Sequence, residues 1–168
     1  MKKIACALLF ASILLAQPSG KAPELKGNQW INTAGPIRLS ERTGKVTIVH
    51  FWTFGCINCK HNLDAYNHWY RDFHDRGVEV IGIHTPELEN ERVAANVASH
   101  VKQFHIEYPV LIDNGYTNWN LWKQQFWPAV YVIDKRGNIR LRWDGELNYQ
   151  NSGGEARVSR LVEQLLAE

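Results

Sequence analysis

Strands that alternate with helices, and a closing hairpin followed by a helix, predict an α/β sandwich around a central mixed β-sheet flanked by helices. Three observations carry this. Two apolar, β-branched runs, Val46–Trp52 and Val78–His84, are each followed by a stretch of helical spacing. Asp134-Lys135-Arg136-Gly137-Asn138 separates two further β-rich runs as a hairpin turn does. The last residues, 156–166, have the apolar spacing of an amphipathic helix.

The elements are expected in the following order. Met1-Lys2-Lys3 is a basic start, residues 4–16 are apolar apart from Ser12, and Gln17-Pro18-Ser19-Gly20 breaks the run. That is the charged-then-apolar pattern of a signal peptide. The apolar part is shorter than the roughly 20 residues a membrane-spanning helix needs. Residues 1–20 are therefore read as a signal peptide or N-terminal anchor, and 21–168 as one domain. Export would place the protein in an oxidising compartment, periplasmic or facing the extracytoplasmic side.

Residues 29–31 and 36–39, joined by the turn cluster Asn32-Thr33-Ala34-Gly35, suggest a short N-terminal β-hairpin. Val46–Trp52 is a buried central strand, and a helix is expected from just after Gly55 to about His74. Val78–His84 is a second buried strand, introduced by Gly77. Val93, Val97 and Val101 give 91–104 helical spacing, and Val110–Ile112 is a short strand before Asp113-Asn114-Gly115. These two form an inserted helix–strand segment. A short helix over 118–124 precedes the hairpin of Ala129–Ile133 and 139–143.

A composition of 45% hydrophobic and 21% charged residues with net charge +2 is that of a globular domain with no basic stripe, and argues against a nucleic-acid partner. The chemistry lies in the cysteines. There are three, and Cys6 falls in the leader. The other two stand in Cys56-Ile57-Asn58-Cys59, just beyond the first central strand. A loop that short removes little entropy from the unfolded chain, so the pair is not a staple. At a strand-to-helix turn it suits reversible thiol–disulfide exchange. Cys56 sits at the helix start, where unpaired N–H groups and the helix dipole favour an anion, so it is expected to attack. Lys60 and His61 could add positive potential there. Cys59, a turn further in, is expected to be more buried and to resolve the mixed disulfide. Zinc would need two more ligands at fingerlike spacing, and covalent haem needs C-x-x-C-H where Lys60 follows Cys59. No metal and no cofactor beyond a redox-active disulfide is therefore expected.

Phe51-Trp52-Thr53-Phe54-Gly55-Cys56-Ile57-Asn58-Cys59 resembles the active-site segment of the thioredoxin superfamily. Trp30-Ile31-Asn32, His84-Thr85-Pro86-Glu87, Tyr108-Pro109-Val110 and the run from Phe126 to Asp134 follow the narrower pattern of exported TlpA-like proteins and of the thioredoxin-like domain of DipZ. The resemblance covers roughly 29–146. It implies a thioredoxin-like fold and a thiol–disulfide oxidoreductase that reduces disulfides in exported proteins. It also implies a membrane electron donor of the CcdA/DsbD type, with DipZ-type proteins carrying the domain fused to a membrane electron-transfer domain. Pro128 is assigned as a cis-proline facing the cysteines, and Trp127 before it as a presenter of backbone groups to a peptide. Trp52 and Trp127 together would form an apolar rim around Cys56.

Two departures from the family pattern matter. His50 stands where cytoplasmic thioredoxins have a buried acid. It is read either as a proton acceptor for Cys59 or as a core histidine hydrogen-bonded to backbone. Asn62 stands where apocytochrome reductases of this type commonly have glutamate, which counts against that substrate. Glu87 is left outside the catalytic set. Two other classes stay open. One is a thiol peroxidase, since Thr53-Phe54-Gly55-Cys56 gives T-x-x-C, although Val49 stands where peroxiredoxins place proline. The other is a non-enzymatic metal carrier or peptide-binding module.

Overall fold

The computed structural model describes residues 20–168, so the leader with Cys6 lies outside the described residues apart from Gly20. The strands are β1 (Trp30–Ile31), β2 (Val46–Trp52), β3 (Val78–His84), β4 (Val110–Ile112), β5 (Ala129–Ile133) and β6 (Ile139–Asp144). The helices are α1 (Ile57–Phe73), α2 (Ala94–Gln103), α3 (Thr117–Leu121) and α4 (Gly154–Ala167). One six-stranded sheet runs in the order β1-β4-β3-β2-β5-β6. β2 is parallel to β3, which is parallel to β4. β5 is antiparallel to both β2 and β6, and β1 to β4. This is the mixed sheet of a thioredoxin-like fold.

All seven residues of β2 and all seven of β3 are buried, as a parallel pair covered on both faces requires. Alternation sorts them into two cores. Val46, Ile48 and Trp52 join Leu63, Tyr66 and Trp69 of α1, Val97 of α2 and Val158 and Val162 of α4. Val49 and Phe51 turn the other way, onto Leu25, Ile37, Leu39 and Trp122. Helices therefore roof one face of the strands that carry the active-site loop. The other face is covered largely by the N-terminal segment and the chain after α3.

The expected N-terminal hairpin does not form. Trp30 and Ile31 pair instead with Leu111 and Val110 of β4. The second half of that hairpin, 36–39, makes no strand, and Leu39–Arg42 is a turn of 3-10 helix. The N–H groups of Leu39 and Ser40, which a partner strand would have used, donate to the carboxylate of Glu24 at 2.6 and 3.0 Å. Pro36 has no N–H to offer. The inserted helix–strand segment is present as α2 and β4, but α2 begins at Ala94, and Glu91 lies in a separate 3-10 turn, Glu89–Arg92. The hairpin between β5 and β6 forms as its sequence predicts. Asp134 Oδ1 accepts the N–H of Arg136 and of Asn138, and Gly137 takes the left-handed φ of +80° that the turn needs.

Candidate active site

β2 ends at Trp52, and Thr53, Phe54 and Gly55 lead straight to Cys56, the N-cap of α1. An N-cap ordinarily uses a side-chain oxygen to take an orphan N–H. Here the Cys56 sulfur does so, accepting the N–H of Cys59 at 3.2 Å. Both thiols are free, Cys56 half-buried and Cys59 wholly buried. The Cys59 thiol hydrogen-bonds to Cys56 and, with the N–H groups of Cys59 and Asn58, draws its pKa down to about 7. Burial and the negative charge of Glu87 oppose this. Cys59 moves the other way, raised far above the ordinary thiol range by burial first, then by its hydrogen bond and charge relation to Cys56. The pair is thus split into one thiol that ionises near neutrality and one that holds its proton.

Lys60 and His61 are engaged elsewhere. Lys60 Nζ lies 5.9 Å from the centre of the Phe104 ring, and His61 Nδ1 is 3.0 Å from Glu146 Oε2. Glu87 is exposed, yet its charge bears on both cysteines. Its backbone is held by Glu91, which in sequence marks only the start of the helical spacing over 91–104. Glu91 has no exposed surface. Its Oε1 accepts the Gly55 N–H at 2.8 Å, and its Oε2 accepts the N–H groups of Glu87 and Leu88 at 2.6 and 2.8 Å. The Thr53 side chain adds another bond, and the sum of these outweighs burial and lowers the Glu91 pKa. Thr53 Oγ1 also lies 3.3 Å from Nε2 of the buried His84, whose pKa burial pushes down to about 4. Glu87, Glu89 and Glu91 look alike in sequence. In the structure the third alone is buried, against Gly55, where a Cβ would fall 2.4 Å from Glu91 Oε1.

The Trp127–Pro128 bond is cis. Trp127 is half-buried, with its indole N–H donating to the Thr85 carbonyl at 3.1 Å and its ring 4.0 Å from that of Trp119. Trp52 is no part of an exposed rim. It is 0% exposed, because the inward phase of β2 carries it into the helix-side core against His84. The exposed apolar side chains adjoining the site in sequence are Ile57 and Phe126, 60% and 59% exposed. A cavity of about 490 Å³ opens beside Asn58, walled by Trp143, Glu146 and Tyr149.

His50 is buried and uncharged, its pKa pushed to about 3 by burial alone. It is not hydrogen-bonded to backbone, since neither ring nitrogen has a partner. It stacks on Tyr66 at 3.9 Å, and the Tyr66 phenol feels the charge of both cysteines. Asn62 is a buried peg. It donates to the Gly145 carbonyl at 3.1 Å and accepts the Leu147 N–H at 2.9 Å, pinning α1 to the loop after β6. Among the described residues no group of three or more His, Cys, Asp or Glu side chains is placed to hold a metal ion.

Residues 18–142 match the AhpC/TSA family. The chain belongs to that family. It is 42% identical over 133 residues to DipZ of Mycobacterium tuberculosis, a match covering 77% of this chain and 19% of DipZ. The chain thus spans about a fifth of that relative. It is also 28% identical over 149 residues to the thiol-disulfide oxidoreductase YkuV of Bacillus subtilis, covering 87% of this chain and 94% of YkuV. Among solved structures, a thiol:disulfide interchange protein DsbE from Chlorobium tepidum superposes with a TM-score of 0.75 at 19% identity, covering 89% of this chain and 98% of that one. A thioredoxin-like superfamily protein, SPOA0173, gives 0.78 at 24% identity, covering 88% and 97%. These likenesses bear out the thioredoxin-like fold.

Proposed function

We propose that this protein is a thiol–disulfide oxidoreductase that reduces disulfides in exported proteins. The observation that carries the reading is the split pair: Cys56 half-buried at the helix N-cap with its pKa drawn down to about 7, and Cys59 wholly buried with its pKa raised. The Cys56 thiolate attacks one sulfur of the substrate disulfide. That bond breaks, a Cys56–substrate disulfide forms, and the departing thiolate takes a proton. Cys59 then gives up its proton, attacks Cys56 Sγ and releases the second substrate thiol. Two electrons pass to the substrate, and the Cys56–Cys59 disulfide remains. A membrane protein of the CcdA/DsbD type returns the electrons, and no cofactor beyond the disulfide takes part.

The remaining site residues have supporting roles. Pro128 and Trp127 present backbone to an extended substrate peptide, beside the exposed Ile57 and Phe126. His50 tunes Cys59 through the stacked Tyr66. The leader read in residues 1–20 supports action outside the cytoplasm, after export or at the end of an anchor.

The test is a pair of variants. Cys56→Ser is expected to abolish reduction of insulin disulfides, and Cys59→Ser to accumulate mixed disulfides with substrate. Trapping by Cys56→Ser and not by Cys59→Ser would reverse the assignment. Peroxide consumption by the wild-type protein, without disulfide reduction, would move the reading to a thiol peroxidase.

A further inference from the structure

We infer that Glu91 is a positioning residue for the nucleophile, a clasp that ties the loop delivering Cys56 to the loop carrying Glu87. Each of its oxygens serves a different loop. Oε1 holds Gly55, the residue before Cys56, and Oε2 holds Glu87 and Leu88. Only a carboxylate can do this, because both arms face N–H donors and neither can tolerate a donor in return. The site is built for it. Glu91 has no exposed surface, Gly55 leaves the space that a Cβ would take from Oε1, and Thr53 supplies a further bond.

The consequence reaches the sulfur. Cys56 ionises near neutrality because Cys59 and Asn58 donate to it, and those donors meet the sulfur only while the backbone enters α1 at the observed angle. Gly55 sets that angle, and its N–H is fixed by Glu91. The opposing charge, Glu87, is fixed by the same carboxylate. One buried group therefore sets the positions of both the stabilising donors and the destabilising charge around Cys56.

Glu91→Gln separates the arms. A glutamine has one acceptor oxygen and one NH₂ group. Its oxygen is expected to stay with the two donors of Glu87 and Leu88, which leaves its NH₂ facing Gly55 and opens that arm. Gly55→Ala opens the same arm from the other side, with Glu91 itself untouched. Gly55 has no positive φ, so alanine fits its backbone there.

The experiment is the pH profile of Cys56 alkylation by iodoacetamide in the full chain, with folding checked by circular dichroism. Both variants are expected to move the midpoint up from about 7 toward the free-thiol value of about 8.5. The rate at pH 7 would then drop roughly five- to fifteenfold, as the thiolate fraction does. A wild-type profile in either folded variant overturns the proposal, and Gly55→Ala alone decides it if Glu91→Gln does not fold. The inference takes its meaning from the thiol–disulfide reading, but alkylation needs no substrate disulfide. A wild-type protein that fails to reduce insulin would defeat that reading while leaving the midpoints to judge the clasp.

Discussion

Raising the pH from 5 to 9 is expected to bend the reduction potential of the Cys56–Cys59 pair once, near pH 7, and to leave it in the reducing range throughout. Below the Cys56 pKa of about 7, reducing the disulfide takes up two protons with two electrons, so the potential falls by about 59 mV per pH unit. Above it Cys56 stays ionised, one proton is taken up, and the slope halves to about 30 mV per unit. A second bend would need Cys59 to ionise, and its pKa is pushed far too high for that below pH 9. The same numbers fix the range. At pH 7 a thiol of pKa 7 stabilises the reduced form by about RT ln 2, roughly 0.4 kcal/mol, whereas the DsbA thiol at about 3.5 contributes about 4.8 kcal/mol. The difference of about 4.4 kcal/mol is about 90 mV, more than half of the roughly 150 mV between DsbA and thioredoxin. This pair therefore belongs near thioredoxin at about −270 mV. Equilibration with glutathione or dithiothreitol buffers across that pH range measures both quantities. A bend below pH 5.5, a second bend below pH 9, or a potential above about −170 mV at pH 7 would refute the reasoning.

His50→Ala is expected to slow resolution of a mixed disulfide more than its formation; equal rates from pH 6 to 9 in stopped-flow would leave His50 a packing residue only. Acid stability follows from the two buried histidines, whose folded pKa values of about 3 and about 4 lie below the unfolded value of about 6.5. The unfolded chain binds more protons in that window, so stability falls as pH drops below 6.5, by about 2 kcal/mol per histidine at pH 5. Urea unfolding at pH 8 and pH 5 checks this, and His50→Phe is expected to halve the difference. Asn62→Ala leaves the Leu147 N–H without its buried acceptor and is expected to cost about 1–3 kcal/mol in the same assay, with little change in the Cys56 alkylation profile.

What could be read in advance follows from where the physics is local. β2, β3 and β5 are β-rich, largely apolar runs whose bounds the structure keeps unchanged, and the hairpin after β5 is written in its own turn residues. The helix start at Cys56 was legible for the same reason, since strand, glycine and C-x-x-C lie in sequence. The misreadings came from partners far along the chain. Residues 36–39 lost their strand to Glu24, and Trp52 reached the core because β2 is covered on both faces. Glu91 could not be told from Glu87 or Glu89, because its distinction is a bond to Gly55, 36 positions away. Asn62 stands out in sequence only as a departure from a family pattern, because its partners on the loop after β6 lie more than 80 residues on.

The two faces of the sheet are covered by unlike materials, and this makes the segment before β2 a lining and not a tether. Leu25, Ile37 and Leu39 lie over Val49, Phe51, Ile81 and Ile83 with no regular helix to hold them there. A deletion across 21–39 would leave the cysteines and α1 in place, but it would remove β1, whose Ile31 packs on the helix-side core, and would uncover aliphatic and aromatic side chains on the other face of the central strands. Such a molecule would keep its thiol chemistry and lose its solubility, because exposed apolar strand faces drive self-association. Any shortened form prepared for study therefore has to retain these residues, although they contribute nothing to the reacting atoms.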